Sequence, residues 1–253
     1  MEHLSSSQIS LYLQCPRKYR FKYIDCIEPP FKSAAVAFGS ALHSAVAYLG
    51  EAKMKGDEIN AGKLLSVFRA DWEAQKCDKI VFNGESEEEL LSKGVALLKQ
   101  IHEEAVNWKV RGAEVPFQVP IIDPSTGEAI VPVNIMGFFD LVIEPDTIIE
   151  LKTSVRKWDE ESIKNNIQVS IYGYAYKLLS GRDANLQIKV LLKQRNPRIE
   201  TYPTTRSDDA TRWCLNLIRE IYESIEKGAF HPTPGWMCAD CEYAELCKSK
   251  ILK

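Results

Sequence analysis

The 253-residue sequence has no apolar stretch near the length that a bilayer crossing requires, and its first residues, MEHLSSSQ, hold no basic segment followed by an apolar run. Membrane insertion and secretion are therefore not expected, and a cytoplasmic protein with no membrane partner is. Charge of one sign is also scarce: the net charge is -3, so no global excess of lysine and arginine announces nucleic acid. Internal repeats and low-complexity linkers are missing. So is a phosphate loop, because Gly56 to Leu64 has one residue too many between its glycines and Leu64 where Ser or Thr would meet Mg²⁺. Seven cysteines is an odd number in a reducing compartment, which favours free thiols and metal ligands over a disulfide framework.

What remains is ordinary globular material, with 45% hydrophobic residues and a chain long enough to bury a core without help from a metal. Ser5 to Gln8 reads as a capping box opening a short helix with Ile9, Tyr12 and Leu13 on one face, and Pro16 starts a second helical piece. Helices are predicted around 34 to 52, 61 to 75 and onward from Ser86, the last carrying Leu90, Leu97, Leu98, Ile101 and Trp108 at helical spacing. Residues 114 to 122, 129 to 143 and 147 to 153 are rich in Val, Ile and Phe and are separated by turn signals, which predicts an antiparallel meander. A helix capped by Asp159 and ending at Gly181, strands over 186 to 193 and 199 to 203, and a helix from about 207 to 227 follow. The fold class is α/β (α+β), with a helical region ahead of a mixed central sheet.

The chemistry concentrates in GFFDLVIEPDTIIELKTS, residues 137 to 154. Glu150 and Lys152 are two apart on a strand and share a face, while Ile149 and Leu151 turn to the core. Asp140 joins them only if it pairs with residue 150, which needs a three-residue or similarly odd loop; a two-residue loop would put the carboxylates on opposite faces. Converging carboxylates call for a cation, and oxygen ligands favour Mg²⁺ or Mn²⁺, an arrangement suited to phosphodiester hydrolysis with Lys152 acting on the attacking water. The same spacing also fits an amphipathic hairpin with a solvated ion pair. His43 shares a helix face with Gly39, and Gln168 with Tyr172, each pair at i and i+4.

The tail supplies Cys238, Cys241 and Cys247, one short of the four ligands that a closed zinc site or a cubane cluster takes. Cys15, Cys26, Cys77, Cys214 and His231 are the available fourth ligands, and thiolates alone do not separate zinc from iron-sulfur. Cys26, Cys77 and Cys214 otherwise read as small buried hydrophobes. Arg17, Lys18, Arg20 and Lys22 alternate with Tyr19, Phe21 and Tyr23, which suits either a basic wall with aromatic platforms for single-stranded DNA or a solvated helix face over core aromatics.

Taken together, Cys-Pro-Arg-Lys-Tyr-Arg-Phe at 15 to 21, Gly39-x-x-x-His43, Glu114, Gly-Phe-Phe-Asp at 137 to 140, Glu-Leu-Lys at 150 to 152, Gln168 to Tyr172 and the C-x2-C-x5-C tail resemble a known family. It is the RecB-type branch of the PD-(D/E)XK nucleases that carries an iron-sulfur cluster, which includes CRISPR-associated exonucleases and the nuclease domains of bacterial recombination enzymes. One departure is Phe139 where the family name has proline. The resemblance implies a single nuclease domain over 1 to 253, with a helical region (5 to 110), a PD-(D/E)XK core (111 to 205) and a helix with a cysteine tail (206 to 253). It implies that His43, Asp140, Glu150 and the Leu151 carbonyl hold the catalytic metal, that Lys152 is the catalytic lysine and that Gln168 and Tyr172 help position DNA. It further implies a [4Fe-4S] cluster on Cys15, Cys238, Cys241 and Cys247; on the basic-wall reading of the segment, Arg17, Lys18 and Arg20 would join Tyr172 in touching DNA. The activity implied is a metal-dependent exonuclease acting on single-stranded DNA ends, in CRISPR adaptation, recombination and repair or phage DNA processing, with the proteins of those systems as partners. The rival expectation is a catalytically silent iron-sulfur module that binds DNA on the same fold.

Overall fold

The structure, a computed structural model, describes residues 2–76, 79–82 and 84–251; Cys77 lies outside them. In chain order the elements are β1 (His3–Ser5), α1 (Ser6–Gln14), α2 (Pro16–Tyr19), β2 (Lys32–Ser33), α3 (Ala34–Lys55), α4 (Ala61–Gln75), β3 (Ile80–Val81) and α5 (Glu87–Glu104). There follow β4 (Val110–Ile122), β5 (Ala129–Ile143), β6 (Thr147–Ser154), α6 (Glu160–Lys164), α7 (Ile167–Ser180), β7 (Asn185–Leu192), β8 (Arg198–Thr204), α8 (Asp208–Glu226) and α9 (Ala244–Ile251). The chain divides into two compact units: Met1–Phe31, Gln118–Gly137 and Arg206–Lys253 form one, Lys32–Phe117 and Phe138–Thr205 the other. This grouping differs from the three consecutive segments drawn on the sequence, because β4 and β5, which pair with each other, each run from one unit into the other.

In the second unit the sheet is mixed: β6 is antiparallel to β5, parallel to β7, and β7 is antiparallel to β8. The parallel β6 and β7 are joined through α6 and α7, since a parallel pair needs a crossover rather than a hairpin. Leu141, Ile149, Leu151 and Leu191 of the sheet pack with Phe38, Leu42, Leu64, Phe68, Trp72, Leu97 and Leu98 of α3, α4 and α5. Alanines at 34, 37, 41 and 45 fill the buried face of α3, and Ser33 caps its start. Ser86 and Glu89 close a full capping box on α5.

In the first unit β1 adds in parallel to the amino-terminal half of β5, with Leu4 opposite Ile135. The sequence signals did not disclose this three-residue strand. Ser5 caps α1 by accepting from the Gln8 amide; Ile9 and Tyr12 are buried, but Leu13 is exposed because the buried face is narrower than its three apolar residues. Cys214, Leu215, Ile218, Ile221 and Ile225 form the buried stripe of α8.

The helix expected from Asp159 to Gly181 is two helices. Asn166 ends the run by capping α7 itself, its side chain accepting from the Val169 amide, which is the competition that asparagine offers a helix interior. Trp108 lies beyond α5, its ring under the Lys189 ammonium. Cys26 is exposed at a φ of 49°, a correction to its reading as a buried hydrophobe: the chain turns there and leaves the thiol no core to enter. Cys214 is buried as expected.

Candidate active site

Ile143 pairs with Thr147, Val142 with Ile148 and Leu141 with Ile149, so the turn has three residues and the register carried one step further sets Asp140 opposite Glu150. This is the odd-loop geometry that the two carboxylates require to share a face. Asp140 Oδ2 accepts the Leu151 amide at 2.8 Å and lies 3.6 Å from His43 Nδ1. Glu114, whose role the motif alone did not reveal, completes a group with His43 and Asp140 whose ligand atoms all lie within 4.8 Å of one another. Its φ of 46° puts a bulky residue in the left-handed region within β4, a strained placement that re-aims the side chain toward Asp140. No sequence signal reports that dihedral.

Lys152 Nζ sits 2.5 Å from Glu150 Oε1 and donates to Gln168 Oε1 at 2.6 Å; Gln168 Nε2 in turn donates to Tyr172 Oη at 2.8 Å. Close as the ammonium is, neither Glu150 oxygen, on a side chain 1% exposed, finds a donor in hydrogen-bonding alignment. Tyr172 is fixed by edge-on contacts with Phe139 (5.1 Å) and Phe117 (5.8 Å), which stack on each other at 4.6 Å. Phe139, in the place of the family proline, therefore serves to hold the tyrosine.

Burial dominates the electrostatics. It pushes Glu150 up to about 7, with the Asp140 charge adding to the shift, and Asp140 up to about 6. Glu114 is raised by burial and by Glu150, while burial lowers His43 and keeps it neutral, the form that binds metals. Tyr172 is raised by burial and then by Glu150 and Asp140. Three carboxyl groups and an imidazole share a single ammonium, that of Lys152, and neither Glu150 oxygen has an aligned donor, which fits a divalent cation: such an ion offsets the remaining repulsion and satisfies the oxygens. Beside this group lies a cleft of about 540 Å³ lined by Val36, Gly39, Ser40, His43, Ser44, Ala47, Glu114 and Asp140.

The first unit holds the remaining predicted residues. Its carboxy-terminal tail is tied to the amino-terminal segment by Tyr12 Oη to Ala229 O (2.7 Å), Tyr243 Oη to Ile27 O (2.8 Å) and the Lys18–Glu242 ion pair (2.8 Å). Cys15 is near enough to Cys241 and Cys247 for its charge to add to the burial that raises both thiols, and Cys238 acts on Cys247 in the same way. The four sulfurs do not reach the mutual 4.8 Å of the acidic group. Arg17 Nε donates to Phe230 O at 2.8 Å, and Arg20 pairs with Asp25 with its guanidinium 5.8 Å from the Phe230 ring. Tyr19 and Phe21 are buried against other aromatics and are not the exposed platforms that one reading of the segment offered.

Residues 3–248 match the model of the PD-(D/E)XK nuclease superfamily. The chain belongs to that superfamily. The solved structure of a candidate exonuclease from Eubacterium rectale shares the fold, with a TM-score of 0.61 at 16% identity over 98% of this chain and 88% of that chain. The structure of SSO0001 aligns at a TM-score of 0.40 and 16% identity over 96% of this chain and 93% of that one, too distant to carry an argument. No curated protein matches. Membership makes the protein a nuclease-fold chain for which DNA is the substrate class; such nucleases use divalent metals, and His43, Glu114 and Asp140 form a group that could hold one.

Proposed function

We propose that this protein is an Mg²⁺- or Mn²⁺-dependent deoxyribonuclease that removes nucleotides from DNA ends, preferring single strands. The observation that carries the reading is Asp140 set opposite Glu150, with Lys152 alongside and both Glu150 oxygens unsatisfied. His43, Asp140, Glu150 and the Leu151 carbonyl are the groups that would hold the ion, and Glu114, whose carboxylate lies within 4.8 Å of the His43 and Asp140 ligand atoms, is a further candidate ligand. When bound, such an ion polarises a phosphoryl oxygen and acidifies a water. Lys152, held by Gln168 and Glu150, orients the attacking water and stabilises the charge that develops on the phosphoryl group. Tyr172 fixes Gln168 and thereby the direction of the lysine. The description of the Eubacterium rectale protein is in keeping with action at ends.

The proposal extends to a [4Fe-4S] cluster on Cys15, Cys238, Cys241 and Cys247. It is supported by their placement in one unit and by the bonds that tie the tail to the amino-terminal segment. CRISPR adaptation, recombinational repair and phage DNA processing are the settings such an enzyme would serve. Lys152→Ala and Asp140→Asn are each expected to cut metal-dependent nucleotide release from end-labelled single strands by about 10²–10⁴-fold without altering circular dichroism. Unaltered release overturns the assignment, and DNA affinity without cleavage under any divalent metal would favour the silent module.

A further inference from the structure

Beyond the ligand group the cleft continues along α3 past Ser40 to Val36. Ser40 is exposed and lies three residues from His43, on the same side of the helix. Its hydroxyl belongs to a network whose protons can be counted. Lys32 Nζ donates to Gln75 Oε1 at 2.9 Å, and because an ammonium only donates, the amide oxygen must face Lys32. The amide nitrogen therefore faces the other way. One of its protons goes to Asp71 Oδ2 and the other to Ser40 Oγ, both at 3.1 Å, while Ser44 Oγ donates to Asp71 Oδ1 at 3.2 Å. Both Gln75 amide protons and the Ser44 proton are spent within the network. Ser40 accepts and keeps its own O–H, at the end of a chain from ammonium to amide to hydroxyl in which each bond polarises the next.

We infer that Ser40 is a substrate-positioning residue whose hydroxyl, oriented by Gln75, donates to a phosphate oxygen of the nucleic-acid strand in the cleft. The inference rests on the nuclease reading above. The lining's other hydroxyl, Ser44, gives its proton to Asp71, and the remaining lining is apolar, carboxylate or imidazole, so a polyanionic strand meets few donors there, and Gly39, Val36 and Ala47 leave it room. An O–H presented three residues, roughly 4.5 Å of helical rise, from His43 is within reach of a phosphate next to the one at the ligand group.

The test is steady-state cleavage of a 5′-labelled single-stranded oligodeoxynucleotide with Mn²⁺ by the full chain. Ser40→Ala is expected to raise KM about tenfold with kcat held within twofold, the loss of one hydrogen bond to a charged acceptor. Ser40→Thr keeps the hydroxyl and is expected to restore KM. Gln75→Glu leaves Ser40 in place but offers a carboxylate that accepts the Ser40 O–H in a hydrogen bond, and is expected to raise KM as far as Ser40→Ala does. Should that variant fail to fold, Gln75→Leu removes the donor without adding charge, with a rise of at least threefold expected. Native KM in Ser40→Ala, or in the folded Gln75 variant, overturns the inference while Asp140→Asn is inactive. Full cleavage by Asp140→Asn would instead overturn the nuclease reading beneath it.

Discussion

Glu114 and Asp146 both hold a positive φ, 46° and 35°, and what their side chains touch separates their roles. Asp146 accepts from Tyr176 Oη at 2.6 Å and pairs with Arg182 at 2.8 Å, so its carboxylate secures the β5–β6 turn. Glu114 instead points its carboxyl at His43 and Asp140, where burial disfavours the charge. Strain of about 1–3 kcal/mol retained without a structural bond is what a functional residue leaves behind. Glu114→Gly is therefore expected to raise the melting temperature by a few degrees, about 1 kcal/mol, while lowering nuclease activity. Differential scanning calorimetry beside the cleavage assay checks both halves, and a fall in stability would show that the carboxyl contributes more to the fold than its dihedral costs.

At the scale of elements, α3 is the piece that the site depends on. A Cβ at Gly50 would meet Leu141 Cδ2 at 2.7 Å and Ala113 at 2.8 Å, and one at Gly39 would sit 3.3 Å from Thr153 Oγ1, so glycines set how closely the helix that bears His43 approaches the strands. The end of β7 is held differently. Lys193, buried with its ammonium 6.0 Å from the Phe38 ring, pairs with Glu85 at 2.6 Å, and Glu85 also pairs with Lys93 of α5 at 2.5 Å. Burial alone would raise the Glu85 carboxyl, yet the two lysines hold it below its ordinary value. A carboxyl lowered on folding contributes stability that is full above its unfolded pKa, roughly 4.3, and is lost as pH falls through the folded value. Glu85→Gln is thus expected to cost about 1–3 kcal/mol at neutral pH and to flatten the acid limb of a urea-denaturation series. A limb as steep as that of the native chain would remove Glu85 as its source.

At the scale of the whole molecule, each unit carries its own constellation: the carboxylates with Lys152 in one, the cysteines in the other. Segments more than 200 residues apart in sequence meet in the first unit, and a metal group joining Cys15 to the tail would close that long loop covalently and restrain the unfolded chain. Cys15→Ala is expected to lose iron and visible absorbance as completely as Cys241→Ala after anaerobic purification. Cys26→Ala and Cys214→Ala are expected to keep both, since Cys26 is exposed on a turn and Cys214 is buried beside Arg206 with its thiol pushed up to about 12. Zinc in a colourless preparation would overturn the cluster assignment.

Local chemistry made much of this legible in the sequence. Alternation placed Glu150 and Lys152 on one face, turn residues bounded the meander, and serine and asparagine side chains marked helix starts, because each signal acts over a few residues. The same period-2 rule limits a pairing of Asp140 with Glu150 to an odd-length loop, and the register shows it to be three residues. What the sequence left open needed contacts between distant segments: β1 seated on β5, the left-handed backbone that aims Glu114 at His43, and partners that occupy Arg17, Lys18 and Arg20. Burial decided the electrostatics, since a carboxyl such as Glu150 acquires its raised pKa only when the folded chain removes the water around it. The sequence by itself determined which groups the site could use; the tertiary structure decided which of them meet and in what dielectric.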